Sequence, residues 1–200
     1  MYLRATSRLQ TADWSLLCIG IGNSLRGDDG AGPAVVQRLR WKLNSRPIEG
    51  VATRIVTQLA PELVCDLVRT RCALFIDADV RPPPARLAVH AIQADPVVPA
   101  IPCVGHYETP ERLLGLCRRY FGDAPDAYVL ALGARAFGYG DPLSPALKAL
   151  VHNLAEQLFN ALIHHPVAQP LRSWNPWSSA VSRRTWVSMI STADNCLLKG

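Results

Sequence analysis

Short apolar runs alternate with segments of helical spacing through most of the chain. The runs are rich in β-branched and aliphatic residues, and four of the five end at Gly, Asp or Gln. They predict strands over residues 15–21, 51–58, 72–77, 87–93 and 127–133. Proline near a first helical turn, or apolar side chains three and four apart, predicts helices over residues 33–43, 61–70, 109–120 and 144–163. The order predicts an α/β three-layer sandwich, a mostly parallel open sheet with helices on both faces.

The two ends of the chain lack this alternation. Residues 1–14 are interpreted as a leader segment and residues 164–200 as a poorly ordered C-terminal tail, so the predicted domain covers residues 15–163. The tail holds three of the five tryptophans. No apolar run is long enough for a membrane span, and no secretory signal is recognisable. We therefore expect no membrane insertion.

The six cysteines are scattered, without a closely spaced pair, and several lie within apolar runs. This usage is typical of small buried hydrophobes in a reducing compartment, and it disfavours a structural zinc site. A cytoplasmic location follows as the expectation. The cysteines are Cys18, Cys65, Cys72, Cys103, Cys117 and Cys196.

The formal net charge of +5 raises the question of nucleic-acid binding. Residues 1–163 hold 17 Lys and Arg against 15 Asp and Glu, whereas the last 37 residues hold 4 against 1. Most of the excess therefore belongs to the tail. No basic stripe is evident on a predicted helix or strand, so a nucleic-acid partner is not expected.

A Gly- and Asp-rich loop connects the first strand to the first helix. Its place invites comparison with dinucleotide-binding loops, but Leu25 occupies the third glycine position, and Asp28 and Asp29 would repel a phosphate. Paired carboxylates before a helix are stabilised by the helix dipole and suit a cation as ligand. Helix capping by Asp28 or Asp29 is the alternative, and the loop alone does not decide between the two.

Two further side chains are candidates at the expected ligand edge of the sheet. Asp77 ends a buried strand, where α/β sheets bind ligands, although it could instead pair with Arg81. Asp79 is the more solvated neighbour. His106 lies in a loop before the predicted helix that opens at Thr109, a position suited to metal ligation or proton transfer.

The loop resembles the opening signature of the hydrogenase maturation endopeptidases, GxGNxLxxD followed by Glu or Asp and then GxG. Every signature position is matched, by Gly20, Gly22, Asn23, Leu25, Asp28, Asp29, Gly30 and Gly32. The stretch around Asp77, the residues from His106 to 114, and residues 129–145 resemble later segments of that family in the same order. The resemblance spans roughly residues 16–162 and leaves out the leader and the tail.

The resemblance implies an endopeptidase that removes a C-terminal extension from the nickel-loaded precursor of the NiFe-hydrogenase large subunit. It assigns metal binding and catalysis to Asp29, Asp77 and His106, with the nickel arriving on the substrate. One imidazole and two carboxylates suit a divalent first-row metal. Whether the metal polarises the peptide carbonyl or a carboxylate activates water stays open. Asp29 stands where many members carry glutamate.

Two other functions are possible interpretations of these residues. A nickel-handling assembly chaperone would use the same Asp29, Asp77 and His106 site without cleaving anything. A nucleotide-dependent oxidoreductase is disfavoured because the two adjacent aspartates occupy the place of the phosphate. No serine-, cysteine- or HExxH-type protease motif is visible.

Overall fold

The fold is described from a computed structural model, which covers residues 13–96 and 108–164. Five strands and four helices make up the domain. The strands are β1 (Trp14–Ile21), β2 (Val51–Val56), β3 (Thr70–Asp79), β4 (Leu87–Ile92) and β5 (Asp126–Gly133). The helices are α1 (Ala31–Ser45), α2 (Val64–Leu67), α3 (Pro110–Phe121) and α4 (Pro145–His164). Short 3₁₀ turns, Gly27–Gly30 and Pro61–Leu63, precede α1 and α2.

The strands form one sheet in the order β2-β1-β3-β5-β4. The first four run parallel, and β4 pairs antiparallel with β5 at one edge. The strand order reverses between β1 and β3, since β2 lies on one side of β1 and the later strands lie on the other. The predicted class, a mostly parallel open sheet with helices on both faces, is confirmed.

Alternating side chains of the strands pack into two separate cores, one on each face of the sheet. Leu16, Cys18, Leu74 and Ile76 pack with α1 and α4. Their neighbours Leu17, Ile19, Ala73 and Phe75 pack on the opposite face with α2 and α3. Strands buried on both faces need continuous apolar runs, which explains the sequence pattern that predicted them.

The cap at the start of α3 is confirmed. The Thr109 hydroxyl oxygen accepts a hydrogen bond from the Arg112 amide at 3.3 Å, and Pro110 is the first helical residue. Gly122 ends the helix in a left-handed conformation with φ of 85°. The cap, the proline and the glycine act at the two ends where the helix has unpaired backbone groups.

Two predicted elements are shorter than expected. The helix predicted over residues 61–70 ends early, because Thr70 already pairs with Trp14 as the first residue of β3. The strand predicted over residues 51–58 stops at Val56. Ile21 is the last residue of β1 and pairs with Val56, so no strand partner remains beyond that point.

Several sequence-based predictions lie outside the described residues. These are most of the leader, the tail beyond His164, and the loop that contains His106 and Cys103. Within residues 13–96 and 108–164, no helix combines the length and the apolar character that crossing a membrane requires.

Candidate active site

The candidate site lies at the carboxyl ends of β1 and β3. Ligands of open α/β sheets bind where the strand order reverses, because the loops from the two adjacent strands diverge there and leave a crevice. The loop after β1 carries Asp29. Gly20 of β1 pairs with Ile76, so Asp77 is the next residue of β3, level with the end of β1. Two of the three predicted side chains therefore come from the two strands that border the crevice.

Glycines of the first loop let helix α1 approach the sheet at this point. A Cβ atom on Gly32 would lie 2.2 Å from the Ile76 carbonyl oxygen and 2.5 Å from that of Ile21. A Cβ on Gly20 would lie 2.5 Å from the Gly32 carbonyl oxygen. Larger residues would force the start of α1 away from both strands. The glycines thus set the position of Asp29, which directly precedes this contact.

The Asp29 side chain is held by the loop itself. Its Oδ2 accepts a hydrogen bond from the Asn23 amide at 2.7 Å, and the Asn23 Oδ1 accepts one from the Leu25 amide at 2.9 Å. Gly22 has a φ of 131°, and a Cβ there would lie 1.9 Å from the Asp29 carbonyl oxygen. The signature residues Gly22 and Asn23 therefore shape the turn that orients the Asp29 carboxylate.

Asp28 has a different role from its neighbour. Its side chain is buried, and its carboxylate accepts hydrogen bonds from the amides of Arg135 and Ala136, both at 3.1 Å, and of Ser144 at 2.8 Å. Burial alone would raise the pKa of Asp28, but these hydrogen bonds outweigh it and the pKa is lowered. The interpretation of Asp28 and Asp29 as a pair directed at one guest is wrong. Asp28 connects the first loop to the segment between β5 and α4.

Asp77 is the most perturbed carboxyl of the site. Burial raises its pKa from 3.8 to about 6, against a hydrogen bond from the Ala78 amide that lowers it. The negative charges of Asp29 and Asp79 raise the pKa of Asp77 further. Strong perturbation by burial and by a neighbouring carboxylate is common at catalytic positions.

Asp79 is the aspartate that pairs with Arg81. The two carboxylate oxygens accept hydrogen bonds from the Arg81 amide at 2.9 Å and from its guanidinium at 2.8 Å and 2.5 Å. The side-chain hydrogen bond from Arg81 is the main reason that the pKa of Asp79 is lowered. The alternative pairing of Asp77 with Arg81 is therefore wrong, and Asp77 has no cation bound to it among residues 13–96 and 108–164.

A cleft of about 470 Å³ opens beside Asp77. Its apolar wall comes from strands and from the loop after β2, and its polar wall from the end of β3 and the start of α3. The apolar lining residues are Ile21, Leu59, Phe75, Val129 and Ala131, and the polar ones include Asp77, Asp79, Arg81, Glu108, Thr109 and Glu111. Apolar surface with a few placed polar groups is the usual composition of a ligand site.

Glu108 and Arg112 form a buried contact at the entrance to α3. Their Oε2 and Nε atoms are 3.5 Å apart, and the Glu108 side chain is 7% exposed. Neither atom has a hydrogen-bond partner within the described part of the chain. Glu108 and Glu111 were not predicted as site residues, because glutamates beside a helix cap are usually exposed to solvent. Their proximity to Asp77 depends on how α3 packs on the sheet.

His106 lies outside the described residues, so its place relative to Asp29 and Asp77 stays a prediction. Glu108 and Thr109, which follow it closely in the sequence, line the cleft. In the ranges 13–96 and 108–164, no three His, Cys, Asp or Glu side chains group closely enough to hold a metal ion. A metal site built on Asp29 and Asp77 thus requires a donor from elsewhere.

The described cysteines agree with the structural interpretation. Cys18, Cys72 and Cys117 are buried, as expected, whereas Cys65 is exposed, and none of the four forms a disulfide bond within the described residues. Burial raises the pKa of Cys18 and of Cys117 to about 12, so both thiols stay protonated at neutral pH. They are packing residues.

No protein-family model matches the sequence, and no curated protein matches it. Solved structures do match. The Escherichia coli hydrogenase maturating endopeptidase HybD superposes with a TM-score of 0.56 at 22% identity, over 76% of this chain and 93% of that one.

Two further structures match in the same way. The [NiFe] hydrogenase maturation protease HycI from Thermococcus kodakarensis gives a TM-score of 0.55 at 19% identity, over 74% of this chain and 92% of that chain. The endopeptidase HycI from Escherichia coli gives 0.51 at 22% identity, over 74% and 89%. The chain therefore has the fold of the hydrogenase maturation proteases.

Proposed function

We propose that this protein is a hydrogenase maturation endopeptidase, which removes a C-terminal extension from the nickel-loaded precursor of a NiFe-hydrogenase large subunit. The fold is that of several such proteases, and the first loop carries a sequence that resembles their signature. Peptidase activity and a hydrogenase substrate are what the names of the similar structures indicate for those proteins.

The observation that carries the proposal is the convergence of Asp29 and Asp77 at the crevice between β1 and β3. The two residues are far apart in the sequence: Asp29 lies in the loop after β1, and Asp77 lies in β3. The glycine contacts of Gly32 with Ile21 and Ile76 bring the loop of Asp29 to the end of β3. The like charge of Asp29 raises the pKa of Asp77, an unfavourable arrangement that a bound cation would relieve.

Nickel would act here as cargo of the substrate. Two carboxylates from this chain, with His106 as the third donor, suit a divalent first-row metal. A precursor that carries nickel would satisfy both carboxylates and be positioned by them, whereas a precursor without nickel would not be held for cleavage. Because the nickel ion would complete the contact between the precursor and the two carboxylates, the protein would be specific for the nickel-loaded substrate.

Asp77 is the carboxylate better suited to proton transfer. Without a metal, burial raises the pKa of Asp77 to about 6. In the complex, an Asp77 carboxylate oxygen that is not bound to the metal would accept a proton from the attacking water and return it to the departing amine. The Asp29 carboxylate accepts a hydrogen bond from the Asn23 backbone amide. We assign metal binding to both residues and the role of general base to Asp77.

The cleft beside Asp77 would receive the peptide around the cleaved bond. Its apolar wall, which includes Leu59 and Phe75, excludes water and accommodates a side chain of an extended segment. The ion pair of Asp79 with Arg81 forms part of the rim. The cleft thus offers a binding surface next to Asp77.

The decisive experiment is incubation of the full chain with a nickel-loaded large-subunit precursor, followed by mass spectrometry of the precursor. The expected result is loss of a C-terminal segment with nickel present and no change of mass with the nickel-free precursor. Binding of the loaded precursor without any change of mass would refute the proposal and establish the non-enzymatic chaperone instead.

A further inference from the structure

A second cleft, of about 470 Å³, lies between α1 and α4 on the face of the sheet opposite to α3. We call it the α1–α4 groove. Its lining combines basic, aromatic and small side chains: Arg38, Trp41, Lys42, Ser45, Arg46, His152, Ala155, Glu156 and Phe159. Trp41 is twelve residues beyond Asp29, which is about 18 Å along a helix. The groove is therefore separate from the candidate active site.

Helix α1 presents a line of three cations to this groove. Arg38, Lys42 and Arg46 follow one another at intervals of four, so they share one face of the helix and its C-terminal cap. Like charges at this spacing repel each other and destabilise an isolated helix. The expectation that no element carries a basic stripe was wrong. The stripe is short. Acidic residues elsewhere in the domain offset its positive charge, so the net charge of the domain does not reveal it.

The structure neutralises only the middle cation. Lys42 forms an ion pair with Glu156 at 2.5 Å, and its ammonium group lies 5.3 Å from the centre of the Phe159 ring. Arg38 and Arg46 are exposed, and neither guanidinium has an ion-pair partner in the described ranges of the chain. Two unpaired cations therefore flank the groove on either side of the Lys42 contact.

The groove also exposes apolar surface. Trp41 is 63% exposed, and Phe159 is only partly buried beside it. Exposed aromatic surface next to unpaired charge is typical of contact sites, since tryptophan and arginine contribute most strongly to protein interfaces. A matching ligand would place an apolar side chain against Trp41 and carboxylates against Arg38 and Arg46.

We infer that the α1–α4 groove is a docking site for an acidic segment of a partner protein, with at least one large apolar side chain between its carboxylates. Charge complementarity selects this occupant. Residues 165–200 of the chain itself hold four arginines and lysines against one aspartate, so the basic groove would repel them. Nucleic acid is disfavoured because two unpaired cations offer few phosphate contacts, whereas binding to nucleic acid depends on many.

The test uses the full-length protein and a random 16-residue peptide library displayed on phage. Peptides are selected on the wild-type protein alone, and enriched peptides are synthesised for fluorescence anisotropy. We expect sequences that combine Asp or Glu with Trp, Phe or Leu. We expect R38E/R46E and W41A each to weaken binding at least tenfold. The matched control R118E/R119E, which reverses two exposed arginines of α3, is expected to bind as wild type does.

Each other result overturns the inference. No enrichment of acidic sequences, or equal binding by R38E/R46E, would show that the groove is not the site. Competition by a synthetic peptide of residues 165–200 would make the chain's own tail the occupant. If the protein bound a twenty-nucleotide oligothymidine tightly and R38E/R46E abolished that binding, the occupant of the groove would be nucleic acid. If sedimentation showed a dimer of the wild-type protein and R38E/R46E were a monomer, the occupant of the groove would be a second copy of this chain.

Discussion

Asp28 and Asp29 are adjacent in the sequence, yet their carboxylates serve different parts of the molecule. Asp28 is buried and accepts three backbone hydrogen bonds from residues between β5 and α4. Asp29 accepts a hydrogen bond from the Asn23 backbone amide, and its negative charge raises the pKa of Asp77. One residue of the signature therefore fixes the architecture around the candidate site, and the next is the proposed metal ligand.

Replacement of Asp28 is expected to weaken the fold. An Asp28→Asn variant keeps one acceptor oxygen but turns an NH₂ group towards backbone amides, so at least one hydrogen bond to a charged group is lost. We expect a decrease of about 1.5–3 kcal/mol in the free energy of unfolding at pH 7, measured by urea denaturation. Equal stability of variant and wild type would contradict the role given to Asp28.

The effect of Asp28 should depend on pH in a defined direction. Its pKa in the folded protein lies below 3.8, so its contribution to stability is complete above that pH and is lost as the pH falls through the folded pKa. The difference in unfolding free energy between wild type and Asp28→Asn should therefore shrink below pH 3.8. A difference that grew on acidification would contradict the lowered pKa.

A methyl group at Gly32 should displace α1 from the sheet. Because the added Cβ would meet backbone oxygens of Ile21 and Ile76, no side-chain rearrangement can relieve the clash. For Gly32→Ala we expect a loss of about 2–4 kcal/mol in unfolding free energy and a loss of precursor processing. The matched control is Gly122→Ala, which has φ of 85° but no atom within 4 Å. It should cost about 1–2 kcal/mol and leave processing intact.

Asp77 should lower the stability of the protein at neutral pH. Its pKa rises from 3.8 to about 6 on folding, so the folded state binds the proton more tightly and stability falls as the pH rises through that window. Asp77→Asn cannot ionise and keeps an acceptor for the Ala78 amide. We expect this variant to be about 2–3 kcal/mol more stable at pH 7, with the gain vanishing near pH 4.

Asp79→Asn is the matched control for Asp77. The pKa of Asp79 is lowered by its hydrogen bonds from Arg81, so the same substitution there should not stabilise the protein at pH 7. Thermal unfolding between pH 4 and 8 measures both variants. Similar pH profiles for the two would contradict the environments described for Asp77 and Asp79.

Loss of any proposed metal donor should abolish processing and keep the fold. We expect Asp29→Ala, Asp77→Ala and His106→Ala each to lower the processing rate of the nickel-loaded precursor at least a hundredfold, with unchanged circular dichroism. Asp126→Ala, at the amino-terminal end of β5 and away from the crevice, is the control and should process normally. A wild-type rate in one of the three variants would remove that residue from the assignment.

The sequence predicted the elements well where local signals are strong. The Thr109 cap with Pro110 and the apolar runs of β1 and β3 identified those elements within a few residues. The short helix before β3 was predicted too long, because the end of that helix depends on the pairing of Thr70 with Trp14, a contact made across the sheet. Local signals do not contain such a partner.

The sequence by itself determined the fold class, the Gly- and Asp-rich loop and the candidates Asp29 and Asp77. Apolar periodicity and helix caps act between residues that are close in the chain, so they can be read from it. Only the tertiary structure decided that Asp28 turns to the segment before α4, that Arg81 pairs with Asp79, and that Arg38 and Arg46 flank a groove. These outcomes depend on which elements pack together. Side-chain direction and burial, which set hydrogen bonds and pKa, exist only once the chain has folded.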